Sequence, residues 1–273
     1  MEDGINLKGF YWEMRSRSER QFGRTAEAYS YSKSHRQGES LEFLRSYLAK
    51  FERRFRNAID IVTGAGFAAF EAAAFADSVL STDITPEMLD QARRLSEERG
   101  IKNIQFARMA AEDISLENGS VDLVICRTAP HHFVFFDQFL DEVYRILEPG
   151  GVFIVCDTAA PEDPSAAKWM NDIEERRDPS HIWNRSPSEW RQVLIGKGFR
   201  ITDEGLCKTW HEFEDWTERA KVPLKLRDEL RKDISTVESP LSDVFNITTN
   251  HQGLISWTWD AAIFRSEKDQ GNV

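Results

Sequence analysis

An acid at a set distance beyond a glycine turn can grip a sugar, and this chain carries that pairing. The apolar run Ala58-Ile-Asp-Ile-Val-Thr-Gly-Ala-Gly66 ends in a Gly-x-Gly turn, and a second apolar run, Ser78 to Thr82, ends in Asp83. Strand, glycine turn, helix, strand and acid, with the acid about twenty residues on, is the layout of a nucleotide-binding α/β unit. Gly64 and Gly66 let the backbone approach a ligand closely, and Asp83 can accept hydrogen bonds from two ribose hydroxyls. Its bland alternative is a cap for the helix that starts at Pro86. Three residues after Gly66 stands Ala69, which the dinucleotide fingerprint tolerates, so spacing alone leaves a dinucleotide open.

A second reactive stretch is Cys126-Arg-Thr-Ala-Pro-His-His-Phe133. His131 or His132 can take a proton from a hydroxyl, amine or activated carbon near neutral pH. The competing reading is a helix cap for one and a core hydrogen bond for the other. Adjacent histidines on a loop are expected to point apart, and no third ligand is evident, so no metal site is expected. Arg127 can meet an anion or satisfy a nearby acid.

These residues need elements to hold them. Strands are expected over Ala58–Val62, Ser78–Thr82, Ile104–Ala107, Val121–Cys126 and Val152–Cys156, with helices over Phe67–Ala76, Pro86–Arg99 and Phe136–Ile146 between them. Such alternation implies a parallel sheet covered on both faces. Two or three helices precede it over residues 7–57, where Leu41, Leu44, Tyr47 and Leu48 fall on one helical stripe. Helices over 166–177 and 188–197, a strand over 199–213, a helical insertion to about 238 and a last strand over 254–265 follow. Trp169, Trp190, Trp210 and Trp216 read as packing residues, and the polar chain from Ser266 as a frayed tail.

The glycine turn resembles motif I of the class I S-adenosylmethionine-dependent methyltransferases, in the branch reading Asp-x-Ala-Thr-Gly-x-Gly. The resemblance continues in order. Thr82-Asp-Ile-Thr-Pro-Glu-Met-Leu89 looks like the second motif and Ala111-Glu-Asp113 like the third-strand loop; Ser120-Val-Asp-Leu-Val-Ile-Cys126 and Arg145-Ile-Leu-Glu-Pro-Gly-Gly151 look like the fourth strand and the turn before the fifth. It covers roughly 53–199.

The resemblance implies a Rossmann-like α/β fold: a seven-stranded, mostly parallel sheet, helices on both faces, an N-terminal helical lid and a helical insertion before an antiparallel last strand. It divides the chain into a lid (1–57), a cofactor-binding core (58–160), a substrate-side cap with closing strands (161–266) and a tail (267–273). It implies S-adenosylmethionine as cofactor, held by Asp60, Thr63, Gly64, Ala65, Gly66, Asp83, Ile84, Met88, Ala111, Glu112, Asp113 and Arg127. His131, His132 and Tyr29 are the implied catalytic candidates, and Phe22 to His35 resembles the segment that lies over the cofactor. His181 and Trp183 fall where the family builds its substrate lid. Two positions depart from the pattern. Val62 stands where Gly or Ala is usual, near the methionine end, and Ala110 where an Asp meets the adenine amino group, with Glu112 and Asp113 available to substitute.

Composition narrows the partners. With 35 basic and 46 acidic residues the net charge is −11, which opposes binding to a nucleic acid. No apolar run approaches the ~20 residues that span a bilayer. Met1-Glu-Asp-Gly-Ile lacks a secretory leader's features, and Cys126, Cys156 and Cys207 form no metal-like spacing, so a reducing cytoplasm is expected. The reading is methyl transfer to a small-molecule acceptor. Two alternatives stay open: the same fold turned to another reaction such as a cyclisation, and a non-catalytic cofactor-binding protein. A homodimer is allowed but not indicated.

Overall fold

The computed structural model describes residues 7–270; the first residues of the expected lid and the last three of the expected tail lie outside that range. Five strands form the parallel part of the sheet: β1 (Phe55–Ile61), β2 (Ala76–Asp83), β3 (Ile104–Arg108), β4 (Val121–Arg127) and β5 (Leu147–Ala159). β6 (Phe199–Glu212) and β8 (Ile255–Lys268) complete it: β8 runs antiparallel to both its neighbours, β5 and β6, so β6 keeps the direction of the first five strands, and the two-residue β7 (Thr248–Thr249) pairs with β8. The order is β3-β2-β1-β4-β5-β8-β6. Direction of winding therefore reverses between β1 and β4, and ligands of open α/β sheets lie beyond the strand ends at such a point.

Both faces of the central strands are covered, which explains their near-continuous apolar runs. Ala58, Leu123, Ile125, Val152 and Ile154 face one cluster, where α3 (Glu39–Leu48) contributes Leu41, Leu44 and Leu48, and α4 (Phe67–Phe75) its alanines. Ile59, Ile61, Val124, Phe153 and Val155 face the other, filled by Phe139, Leu140 and Val143 of α6 (Phe136–Ile146) and by Trp190 and Leu194 of α8 (Pro187–Gly196). Successive residues serve opposite faces, as the two-residue repeat of a strand requires. α5 (Pro86–Glu98) fills the remaining crossover.

A third apolar cluster builds the cap from α7 (Pro164–Arg177), α9 (Phe213–Arg219) and α10 (Leu224–Thr236) against Trp257 and Trp259 of β8; the short α11 (Leu241–Val244) follows. The N-terminal region forms α1 (Leu7–Tyr31), α2 (Lys33–Gln37) and α3. α1 is strung between the core and the cap. Its Glu19 meets Arg108 at 2.8 Å at the end of β3, and Gln21 Nε2 donates to the Ala220 carbonyl at 3.1 Å beyond α9.

Three expectations are corrected. The chain from Ser266 is not frayed: β8 continues to Lys268, whose Nζ donates to the carbonyls of Tyr144 (2.7 Å) and Leu147 (2.8 Å), and Ser266 is fully buried. The turn read at 149–151 lies within the span of β5. Of the four tryptophans read as packing residues, Trp210 stands 61% exposed on β6.

Candidate active site

The carboxyl ends of β1, β2 and β4 open onto one cavity of about 1050 Å3, including its mouth, and α1 lies across it. At its floor Asp83, 3% exposed, accepts from the backbone N–H of Gly64 (3.0 Å) through Oδ2 and of Thr85 (2.9 Å) through Oδ1. One lone pair on each oxygen is thereby engaged, and each keeps a second for a ligand hydroxyl. Burial raises the Asp83 pKa to about 6, against those backbone bonds. Gly64 has φ +54°, and a Cβ built there would meet nothing within 4 Å, so the turn presents bare backbone to open space.

Asp60 lies behind the turn. Its Oδ2 accepts from Thr63 Oγ1 at 2.5 Å, while its Oδ1 is buried without a partner; burial raises its pKa to about 7. Glu112, half-buried, adds an acid to the rim, raised by burial. Tyr11, Arg15, Ser18, Phe22 and Tyr29 of α1 and His35 of α2 form the roof. Val62 (φ +55°) and Thr128 (φ +60°) follow β1 and β4 directly and line this cavity. Both are β-branched residues in the left-handed region, a conformation that costs of order 1–3 kcal/mol each and gathers at functional sites.

A second cavity of about 780 Å3 adjoins the first on the side of β5, β6 and β8. Phe22, Tyr29, His35, Arg127, Thr128 and His132 line both, so the two share a wall. Arg127 donates to Ser40 Oγ through Nε (3.0 Å) and Nη2 (2.9 Å). On this side His131 Nδ1 is 2.6 Å from Asp157 Oδ1, at the end of β5. Burial disfavours the His131 imidazolium, but the Asp157 carboxylate outweighs it and the pKa is raised. His132 behaves oppositely. Its Nδ1 donates to the Ser180 carbonyl at 3.0 Å, and burial together with the neighbouring His131 lowers its pKa to about 4. His181 Nε2 bonds Asn171 Oδ1 at 2.8 Å, and burial lowers its pKa to about 2.

A sequence profile of the methyltransferase domain family matches residues 55–220. The chain belongs to that family. It is 29% identical over 240 residues to the uncharacterized methyltransferase YcgJ of Bacillus subtilis, across 86% of this chain and 92% of that protein. It is 35% identical over 163 residues to the uncharacterized protein YafE of Escherichia coli, across 59% of this chain and 78% of that protein. The crystal structure of Bacillus subtilis YcgJ matches with a TM-score of 0.79 and 28% identity, over 85% of this chain and 99% of that one. The methyltransferase expectation therefore holds: the fold is Rossmann-like, and the chain is an S-adenosylmethionine-dependent methyltransferase.

On this methyltransferase fold the sequence candidates separate. Asp60, Thr63, Gly64, Ala65, Asp83, Ile84, Met88, Ala111, Glu112, Arg127, Tyr29 and His132 all line the first cavity. Gly66 does not; a Cβ there would stand 2.6 Å from Phe70 Cζ and 3.0 Å from Ala92 Cβ, so the glycine serves the packing of α4 and α5. Asp113 does not line it either. It is exposed, leaving Glu112 as the acid of that loop that faces inward. His131 lines the second cavity only. The two histidines do not point apart: they occupy a 3-10 turn, Pro130–His132, with ring centroids 4.2 Å apart. His181 packs beside them at 5.7 Å from His131, while Trp183 is 37% exposed.

Asp157 belongs to the strand tips where the sequence places a ligand, but no partner for it could be named from the sequence; it lies on β5, beside the strand that leads into the histidine turn. Sequence reasoning passed over Arg177, Asn184, His211 and Arg219 of the second cavity. No short motif joins these four.

Proposed function

We propose that this methyltransferase holds S-adenosylmethionine in the cavity beneath α1 and methylates a small molecule seated in the adjoining cavity. The observation that carries the reading is the shared wall, which lets two ligands meet at Phe22, Tyr29, Arg127 and His132. The residues present fit the cofactor. Asp83 has lone pairs left for two ribose hydroxyls, the bare turn at Gly64 admits close approach, and the unpartnered Oδ1 of Asp60 suits an ammonium, directly or through water. Glu112 takes the place of the missing acid at Ala110, Ile84 and Met88 line the adenosine side, and Arg127 suits a carboxylate.

When bound, the cofactor supplies a methyl group on a sulfonium, which an acceptor nucleophile takes as the sulfur–carbon electrons return to sulfur. The chain's own part is alignment and water exclusion. Phe22 and Tyr29 pack edge to face at 5.6 Å in the roof, where ring faces favour a nearby positive charge. His131, with Nδ1–H held by Asp157, keeps Nε2 free to take the acceptor's proton, and the carboxylate stabilises the imidazolium that results. Neutral His132, fixed through Nδ1 by Ser180, fills the wall without adding charge.

The three cysteines are unbridged and buried, in keeping with a reducing cytoplasm, and among the described residues no helix is long and apolar enough to cross a membrane. The test is calorimetry with S-adenosylhomocysteine. Asp83→Ala should weaken binding by about 1–3 kcal/mol, as lost charge-assisted hydrogen bonds do. Asp113→Ala, on the exposed side of its loop, should leave it unchanged. Equal affinities for wild type and Asp83→Ala in a folded protein would remove the anchor of the reading.

A further inference from the structure

Positive charge gathers in the second cavity. Three guanidiniums line it, Arg127, Arg177 and Arg219, against two carboxylates, Asp157 and Glu174. Both carboxylates are engaged already. Asp157 holds His131, and Glu174 accepts from Trp259 Nε1 at 2.7 Å while standing 3.6 Å from Arg177. Arg219 meets Asp215 at 3.2 Å, but that acid is 70% exposed and lies outside the cavity lining. The side chains of Arg177 and Arg219 are only 10% and 9% exposed. Both are held charged at the wall: Arg177 donates to the Trp216 carbonyl at 3.3 Å beside Glu174 and Asp178, and Arg219 donates to Ser32 Oγ at 3.1 Å.

Polar groups with nothing to bond to stand in the same cavity. Both amide atoms of Asn184, Nε2 of His211 and Nε1 of Trp216 are buried without a hydrogen-bond partner, and all three residues line it. Buried polar atoms in a native fold are normally satisfied, so a cluster of unsatisfied ones marks a place for a polar guest. The local field has the matching sign. Burial, then Arg219, Arg127 and Arg177, hold His35 well below the usual imidazole range; burial, then Arg219 and Arg177, do the same to His211.

We infer that the methyl acceptor carries an oxyanion, a carboxylate or a phosphate, which Arg177 and Arg219 hold in the second cavity while Asn184 and Trp216 complete its hydrogen bonds. This rests on the reading of that cavity as the acceptor site. An acceptor so held has its charged end among the guanidiniums and its nucleophile toward His131 and the shared wall. Uncharged isosteres should bind less tightly, because they forgo the charge-assisted hydrogen bonds that the buried guanidiniums offer an oxyanion.

The experiment is calorimetry on the full chain saturated with S-adenosylhomocysteine, titrated with benzoate, phenyl phosphate and neutral benzamide. At least one oxyanion should bind about tenfold or more tightly than benzamide, and the better of the two tells carboxylate from phosphate. Arg177→Gln and Arg219→Gln should each weaken that binding by about tenfold, and Arg219→Lys should restore part of it. S-adenosylhomocysteine affinity within about twofold of wild type shows that each variant is folded with its cofactor cavity intact. Benzamide binding as tightly as the oxyanions, oxyanion affinity unchanged in both Gln variants, or no oxyanion binding up to about 10 mM would overturn the inference. Failure of S-adenosylhomocysteine to bind the wild-type chain would instead strike the cofactor reading beneath it.

Discussion

Asp60 and Asp83 carry the cofactor cavity at the residue scale, and both are held partly protonated by burial. Their pKa values rise to about 7 and about 6, against about 3.9 in an unfolded chain. Between those limits the folded state binds more protons than the unfolded one. Their contribution to stability is therefore full below about pH 4 and is lost as pH rises through about 6 to 7. Asp60→Asn keeps the shape of the protonated acid and removes its share of that loss. Relative to wild type, the ligand-free variant should gain stability from about pH 5 to about pH 8, read from urea midpoints. Parallel curves would contradict the assignment. Asp83 and Gly64 were legible in the sequence because strand, turn, helix and strand fix their spacing. Gly66 and Asp113 stand off the cavity lining for local reasons: one glycine is claimed by Phe70 and Ala92, and one step along a loop turns an acid outward.

Among the elements, α1 decides whether the site is open or shut. Its buried side chains are mostly polar, Ser18, Gln21, Thr25 and Ser30, with Met14 and Ala26 the apolar ones among its described residues. Little apolar burial anchors it, so α1 belongs to the low-stability end of the fold. Because its residues roof the cavity, a bound cofactor adds contacts that α1 lacks alone. Hydrogen exchange across α1 should slow by about tenfold or more when S-adenosylhomocysteine saturates the protein, with β1 and β4 much less affected. Identical exchange with and without ligand would make α1 a fixed appendage. The helices ahead of the sheet could be read from periodicity. The extension of β8 to Lys268 could not, since it depends on carbonyls of Tyr144 and Leu147 far away in the chain.

For the molecule as a whole, the informative feature is that two cavities of unlike chemistry share one wall. The first was legible, because its floor comes from contiguous motifs at the strand ends of 58–127. The second draws on α1, β4, β5, α7, β6, α9 and β8 at once, and only the sheet order β5-β8-β6 brings those parts together. No spacing rule covers so dispersed a set, which is why Arg177 and Arg219 are not legible in the sequence while Asp83 is. Methyl transfer between the cavities depends on where the cofactor sits relative to that wall. A crystal structure of the S-adenosylhomocysteine complex tests this most directly. It should show the ribose hydroxyls on Asp83 and the sulfur at the wall formed by Phe22, Tyr29, Arg127 and His132, facing the second cavity. Ligand bound elsewhere, or a sulfur turned away from that wall, would contradict it.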